Sequence, residues 1–228
     1  MKRVIVLIIV LVIYCFTHGQ EKKITLELTK ALVAYDKAKD TKGMEAATQL
    51  FKNISDNNKN EWLAAYWTSF LYTQTGRMVD EQLPYYEKSQ TYIDRAFKAK
   101  KSFTSSEKSE LYALQHLINN LTSGPYWRKG DRENGMKYSN LKRESLNQAI
   151  IYNSENPRIY LLTGMGLIND GKRNQDTGYI FAGKVMLKTA KLKYKSEESE
   201  SKVYPNWGEG WINFWLANSK LPLISQDK

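Results

Sequence analysis

The sequence is poor in the residues that most often build reactive or metal-binding sites. Its 228 residues include one cysteine, Cys15, and two histidines. It contains no G-x-S-x-G, H-E-x-x-H or complete P-loop motif, which excludes the signatures of common hydrolases, zinc proteases and nucleotide-binding proteins. We therefore expect no enzyme activity, no cofactor and no metal site. A hydrolase built from carboxylates alone is a further class, and it would need a cleft that holds paired acids.

Residues 1–19 have the layout of a secretory signal peptide, cut at the end of this segment. Lys2 and Arg3 precede an uncharged run over residues 4–16. That run is shorter than the roughly 20 residues that span a bilayer, so a retained anchor is the less favoured alternative. A bulky tyrosine before Cys15 disfavours a lipoprotein signal. Cleavage would remove two positive charges, lower the net charge from +10 to +8, and leave no disulfide or transmembrane segment. We expect a location in the periplasm or cell envelope, or secretion.

Apolar residues at helical spacing predict nine helices, and no segment after the signal alternates as a strand does. The fifth helix opens on a capping box, Thr104 with Glu107, and the last is expected to open on another, Asn206 with Glu209. Short polar connectors indicate an all-α chain of antiparallel helix pairs. The expected spans are residues 24–39, 43–55, 60–74, 84–100, 104–121, 136–152, 157–171, 178–195 and 206–216.

Internal similarity indicates a helical repeat. NNKNEWLAAYW (57–67) and NSENPRIYLLT (153–163) share an Asn-x-x-Asn entry and the apolar positions after it. Their offset equals three units of about 32 residues, a period typical of helix-pair repeats. Further residues fit a repeat unit of two helices. The first helix has an aromatic residue, a leucine-like residue and a glycine in close succession, the second has the form Ala-x3-Phe-x2-Ala, and a proline follows. These residues are Tyr160, Thr163, Gly164 and Leu167 with Gly183, Leu187 and Ala190; Ala47, Phe51 and Ile54; Ser89, Ile93 and Ala96; and Ala149 before Asn156 and Pro157.

This pattern resembles the tetratricopeptide repeat (TPR), specifically the small exported TPR-like proteins of Gram-negative bacteria. The resemblance implies a TPR-like domain over residues 20–218, folded as a short right-handed solenoid of about nine helices, with a C-terminal tail at 219–228. It also implies that the protein binds a peptide or partner protein in a concave groove.

Half of the six tryptophans lie in one short stretch, NWGEGWINFWL, at residues 206–216. Trp207, Trp211 and Trp215 are four residues apart, so they share one helix face with Phe214. Aromatic stripes at helical spacing usually face a core, and the end of a helical array needs a cover. We therefore expect a core plug; a platform for a sugar or a cation is the alternative.

The segment SGPYWRKGDRENG (123–135) is predicted to be a loop because glycines and a proline punctuate it. Aromatic and basic side chains on a long loop suit binding, so Tyr126, Trp127 and Arg128 are candidate partner contacts. The alternative is that both aromatics pack beneath the loop. Aromatic density adds three candidates on the fourth helix: Tyr85, Tyr86 and Tyr92. Core packing is the alternative for Tyr92.

Basic residues form a stripe on the eighth helix. Lys184, Lys188, Lys191 and Lys195 either dock an acidic peptide or an anionic envelope surface, or form a solvated helix face. Nucleic acid is not an expected partner, because basic residues are dispersed along an exported chain. His116 is the one histidine left after processing, and we expect a structural role because zinc sites need several ligands.

Together these features predict a non-catalytic, exported, TPR-like scaffold that binds a protein or peptide partner in the cell envelope. Tyrosine and tryptophan side chains would supply contact area, and lysines at the rim would steer association. The alternative is a small-ligand or glycan-binding envelope protein that uses the same aromatic residues.

Overall fold

The computed structural model describes the backbone of residues 2–197 and 201–220 and the side chains of residues 20–197 and 201–220. Within these ranges the chain forms nine α-helices and no strand, which confirms the predicted all-α class. The helices are α1 (Lys2–Lys37), α2 (Thr41–Asn57), α3 (Trp62–Gly76), α4 (Leu83–Lys98), α5 (Ser105–Arg128), α6 (Arg132–Tyr152), α7 (Pro157–Asn174), α8 (Thr177–Ser196) and α9 (Glu209–Ala217).

The predicted signal peptide coincides with the first half of α1. Its side chains, including that of Cys15, lie outside the described residues, as does most of the predicted tail at 219–228. Cleavage and export therefore stay predictions. Among the described residues, no helix combines the length and the apolar character that crossing a membrane requires.

Adjacent helices pack as pairs: α1 with α2, α3 with α4, α5 with α6, and α7 with α8. The first helices of successive pairs also meet, since α3 contacts α5 and α5 contacts α7, while α9 packs on α8. The pairing agrees with the helix-hairpin prediction. The right-handed solenoid that the TPR resemblance implies stays a prediction.

Polar side chains set the starting points of most helices. At α5 the predicted capping box is confirmed: the Glu107 N–H donates to Thr104 Oγ1 at 3.2 Å, and the Thr104 N–H donates to Glu107 Oε2 at 2.8 Å. Each bond satisfies a backbone donor that has no partner within the helix. Side-chain caps also begin α2, α6, α7 and α8, from Asp40, Asp131, Asn156 and Asp176.

The centre of the core is α3, a helix that is apolar on nearly every side. Twelve of its fifteen residues are buried, as expected for a helix without a polar face. The ring of Trp67 stacks on Phe51 of α2 with centroids 5.9 Å apart, and lies 6.2 Å from the ring of Tyr35 in α1. The side chains of α3 therefore join the first helices to the rest of the core.

The described part of the segment between α8 and α9, residues 201–208, packs across α3 and fills the core. Trp67 Nε1 donates to the Val203 carbonyl at 2.9 Å, and the Trp207 ring stacks on Phe70 with centroids 5.2 Å apart. Tyr194 Oη donates to the Trp207 carbonyl at 2.9 Å. Trp207 is buried, so the expected core plug is confirmed for this residue.

The predicted start of the last helix and its Asn206–Glu209 capping box are wrong. The last helix begins at Glu209 rather than Asn206, and its N-cap is Gly208, which makes no side-chain bond. Gly208 has a φ of 104°, a conformation that favours glycine and interrupts the helix, so Trp207 is not in phase with the later aromatics. Trp211 and Trp215 are partly buried and pack against the core, as expected for a plug, whereas Phe214 is 64% exposed.

Candidate functional site

The predicted loop at 123–135 is wrong, because α5 continues to Arg128 and α6 begins at Arg132. Pro125 lies inside the last turns of α5. A proline there removes one hydrogen bond near the helix end, and the glycine before it has no Cβ to clash with the ring. The backbone stays helical beyond the proline, since the Lys129 N–H donates to the Pro125 carbonyl at 3.0 Å. Tyr126 and Trp127 are thus held on a helix.

The indole ring of Trp127 lies flat against the backbone of α6 at Gly135. A Cβ at Gly135 would stand 2.8 Å from two ring atoms of Trp127, so only glycine permits this approach. Trp127 Nε1 donates to Ser139 Oγ at 3.3 Å, which fixes the ring in its plane. The side chain is nevertheless 44% exposed, so the face opposite Gly135 is open to solvent.

Other side chains of α6 flank this ring. Arg132 and Met136, both exposed and four residues apart, lie on one flank, as helical geometry requires. On the other flank the rings of Tyr126 and Tyr138 stack with centroids 5.6 Å apart and planes 5° apart. We call these four residues and Trp127 the Trp127 platform.

The surroundings of the platform carry more positive than negative charge. Arg128 Nη2 donates to Gln82 Oε1 at 2.6 Å, which ties the end of α5 to the start of α4. The nearby carboxylates are Asp131, which caps α6, the exposed Glu133, and the exposed Glu87 of α4, whose charge acts on Tyr126. The platform cations, all exposed, are Arg128, Lys129, Arg132 and Lys137.

The three tyrosines predicted on α4 do not join the platform. Tyr85 is half-buried, and its Oη donates to Glu45 Oε1 at 2.7 Å. Tyr86 is buried against Gly76. Tyr92 is also buried, and its ring lies 5.7 Å from that of Tyr72. Of the six predicted contact residues, the structure brings together Tyr126, Trp127 and Arg128.

A buried polar centre between α5 and α7 was missed by sequence reasoning. Arg158 has no exposed surface; its Nη1 donates to Glu110 Oε1 at 3.0 Å and to Glu197 Oε1 at 2.7 Å, and its Nη2 donates to the Pro205 carbonyl. Tyr66 Oη donates to Glu110 Oε2 at 3.2 Å. The centre therefore ties the segment between α8 and α9 to three helices.

Two sequence signals point to this centre. Glu110 stands four residues before Leu114 and seven before Leu117, so it is a charged residue within the apolar stripe of α5. In the two repeat-like segments, Arg158 takes the position of Trp62, a core residue. A charge at a core position indicates a buried partner, because an unpaired charge there is costly.

A polar cleft of about 700 Å³ opens beside this centre. Glu110 and Glu197 of the centre line it, and the Oη of Tyr204 is buried there without a hydrogen-bond partner. Two other carboxylates of the cleft are paired, Glu107 with Lys100 and Glu155 with Lys193. The remaining described lining is mostly hydroxyl and amide, so this cleft suits a polar ligand rather than an apolar one.

We expect the wild-type protein to lose stability relative to the Glu110→Gln variant as the pH rises from about 4.5 to 7. Burial raises the pKa of Glu110 from 4.5 to about 7, so the folded protein keeps a proton that the unfolded chain releases. The stabilisation is complete below the unfolded pKa and is lost as the pH passes the folded pKa, a change of roughly 3 kcal/mol. Urea unfolding of both proteins across this range measures it. Equal slopes for the two would contradict the assignment.

The described residues offer no metal site. They contain no group of three or more histidine, cysteine, aspartate or glutamate residues placed to hold an ion. His116 is buried, and its Nδ1 lies 2.9 Å from the Lys142 carbonyl. Burial lowers the pKa of His116 to about 4, so its ring is neutral at physiological pH and packs as a structural residue.

Comparison with known proteins gives a likeness of fold. No protein-family model matches the chain, and no curated protein matches it either. Among solved structures, the HusA haemophore from Porphyromonas gingivalis is similar, with a TM-score of 0.64 and 18% sequence identity. The likeness covers 85% of this chain and 90% of that chain, so it extends over nearly the whole fold.

Proposed function

We propose that this protein is a non-catalytic binding protein of the cell envelope and that the Trp127 platform is its ligand site. One observation carries the proposal: Trp127 is held flat on Gly135 by Ser139, while its outer face stays open. Because the ring is already fixed, the protein loses little further conformational entropy when a flat ligand stacks on it. The similar fold of a haemophore supports a binding role.

Haem is the first ligand to test, since "haemophore" denotes a haem carrier. Its flat macrocycle suits the open face of Trp127, and its two propionates suit the platform cations. Met136 offers a thioether sulfur, a type of ligand that haem iron accepts. His116 is buried and cannot fill this role. The polar cleft suits haem less, because carboxylates line it.

We expect Trp127→Ala to weaken haem binding roughly 5- to 150-fold, since stacking on one aromatic ring contributes about 1–3 kcal/mol. Gly135→Ala should act in the same direction with Trp127 intact, because the added methyl group displaces the ring. Titration followed by haem absorbance and by quenching of tryptophan fluorescence measures both. Thermal unfolding shows whether either variant has lost its fold.

Two controls separate stacking from other effects. Phe181→Ala removes an exposed aromatic ring on α8 and should leave haem affinity unchanged. Met136→Leu should weaken binding of haem but not of iron-free protoporphyrin, because only the former has a metal for sulfur to bind. Equal haem affinity of the wild-type protein and Trp127→Ala, or no binding by the wild-type protein, would refute the proposal.

A protein or peptide partner is the second candidate for the same surface. Tryptophan and arginine are the residues most enriched at interface hot spots, and Trp127 and Arg128 are exposed side by side. Affinity capture from the host's envelope fraction distinguishes the two candidates. A specific protein retained by the wild-type chain and lost with Trp127→Ala, together with no haem binding, would favour the partner.

A further inference from the structure

The face of α8 that turns away from the core has an unusual composition. The helix carries five lysines and no aspartate or glutamate. One of these, Lys193, pairs with Glu155 of the α6–α7 connection. The other four form the predicted basic stripe: Lys184, Lys188, Lys191 and Lys195.

An apolar stripe runs beside the basic one along α8. Phe181, Val185 and Leu192 lie within about 40° of one another around the helix, and the lysines are centred next to them. Phe181 is 70% exposed and Leu192 is 67% exposed. Apolar side chains of this size that project together into solvent mark an interaction surface.

The last helix extends this surface. Near its start, Gly208 meets Tyr194; in its middle, Lys191 Nζ donates to Asn213 Oδ1 at 3.3 Å. After its end, Ser219 and Lys220 lie beside Phe181 and Lys184. α9 therefore runs antiparallel to α8, and it adds an exposed aromatic ring and a cation to this surface, Phe214 and Lys220.

We propose that the α8–α9 surface docks on an anionic phospholipid membrane. Phe181, Leu192 and Phe214 would enter the boundary between headgroups and acyl chains, and the basic stripe would lie over the lipid phosphates. A helix with lysines on one face and phenylalanine and leucine beside them is the arrangement that interfacial helices use. Charge complementarity selects the anionic lipid, because α8 has no carboxylate to repel it.

The form of the surface favours a membrane over a folded protein partner. Phe181 and Leu192 project far from the helix, and they lie three turns apart along it. Such side chains fit a fluid apolar layer directly, whereas a protein would need a matching pocket for each. The basic stripe extends along the same three turns, which suits a flat anionic surface.

The proposal predicts how the chain from Gln20, the expected mature start, partitions onto vesicles that contain about one-third phosphatidylglycerol in phosphatidylcholine. Phe181→Ser should lower the partition coefficient several-fold, through lost burial of apolar surface. The double variant Lys188→Gln/Lys195→Gln should lower the partition coefficient roughly 30-fold, because each lysine near the membrane surface contributes about 1 kcal/mol. High salt should have the same effect on the wild-type chain. Co-sedimentation measures each value.

Matched variants elsewhere on the surface serve as controls. Ile151→Ser removes a side chain that is 71% exposed on α6, and Lys59→Gln/Lys98→Gln removes two exposed charges. Both should bind vesicles as the wild-type chain does. Two results would overturn the proposal. One is equal binding of the wild-type chain to pure phosphatidylcholine vesicles and to the anionic vesicles. The other is a loss of binding in the control variants equal to that in the α8 variants.

Three other occupants of the surface give distinct results. A dimer that Phe181→Ser dissolves, seen by light scattering without vesicle binding, would assign the surface to a second copy of the chain. Vesicle binding only after truncation at Lys220 would assign it to residues 221–228. Retention of an acidic protein from the envelope fraction, lost with Lys188→Gln/Lys195→Gln and without vesicle binding, would assign it to that protein. Each of these outcomes overturns the membrane proposal.

Discussion

Arg158→Met is expected to destabilise the protein by about 3–5 kcal/mol at alkaline pH, the usual effect of removing one partner of a buried ion pair. The substitution leaves Glu110 buried without a countercharge and the Pro205 carbonyl without its donor. The loss should be smaller near pH 5, where Glu110 takes up a proton and no longer carries a buried charge. Urea unfolding followed by tryptophan fluorescence and circular dichroism measures both values.

The double variant Arg158→Met/Glu110→Gln is the control for this effect. It removes both members of the pair, and such replacements are often much less costly than removal of one member. We therefore expect it to be more stable than Arg158→Met alone at alkaline pH. If Arg158→Met lowers the free energy of unfolding by less than about 1 kcal/mol, the ion pair between Arg158 and Glu110 does not contribute substantially to stability.

Trp207→Ala is expected to destabilise the protein by about 3–5 kcal/mol, the range measured when large buried aromatics are truncated. The residue is buried, stacks on Phe70, and donates its Nε1 proton to Tyr66 Oη. Truncation would leave a cavity beside α3 and remove a donor from Tyr66, which is itself bonded to Glu110. Equilibrium unfolding in urea and the melting temperature both report this loss.

Two comparisons make the tryptophan prediction specific. Phe214→Ala removes an aromatic side chain from the same stretch, but this side chain is 64% exposed, so a change within about 0.5 kcal/mol is expected. Trp207→Phe keeps much of the apolar volume and should fall between the two. Equal stabilities of Trp207→Ala and Phe214→Ala would mean that the segment between α8 and α9 is not part of the cooperative core.

The helices were predictable because their signals are local. Helical spacing of apolar residues, the Thr104–Glu107 capping box, and Pro84 and Pro157 at helix starts each act over a few residues. The expected spans agree with the observed helices to within a few residues for α2 to α4, α7 and α8. Helix ends fray, so a helix boundary is defined only to within about one or two residues.

The candidate site was predictable in composition but not in form. Tyr126, Trp127 and Arg128 stood out because aromatic and basic residues followed a glycine and a proline. The inference of a loop failed because a single Pro125 near a helix end costs only one hydrogen bond. The flat seat of Trp127 depends on Gly135, a contact between two helices that no local pattern encodes.

The sequence by itself determined the all-α class, the positions of most helices and the apolar stripe of each, because these follow from propensity, capping and periodicity within one segment. Only the tertiary structure decided which side chains meet across segments. It placed Trp207 in the core and left Phe214 in solvent, paired Arg158 with Glu110, and laid Trp127 on Gly135. The reason is that burial and pairing depend on how the helices pack together, and residues distant in the chain determine that packing.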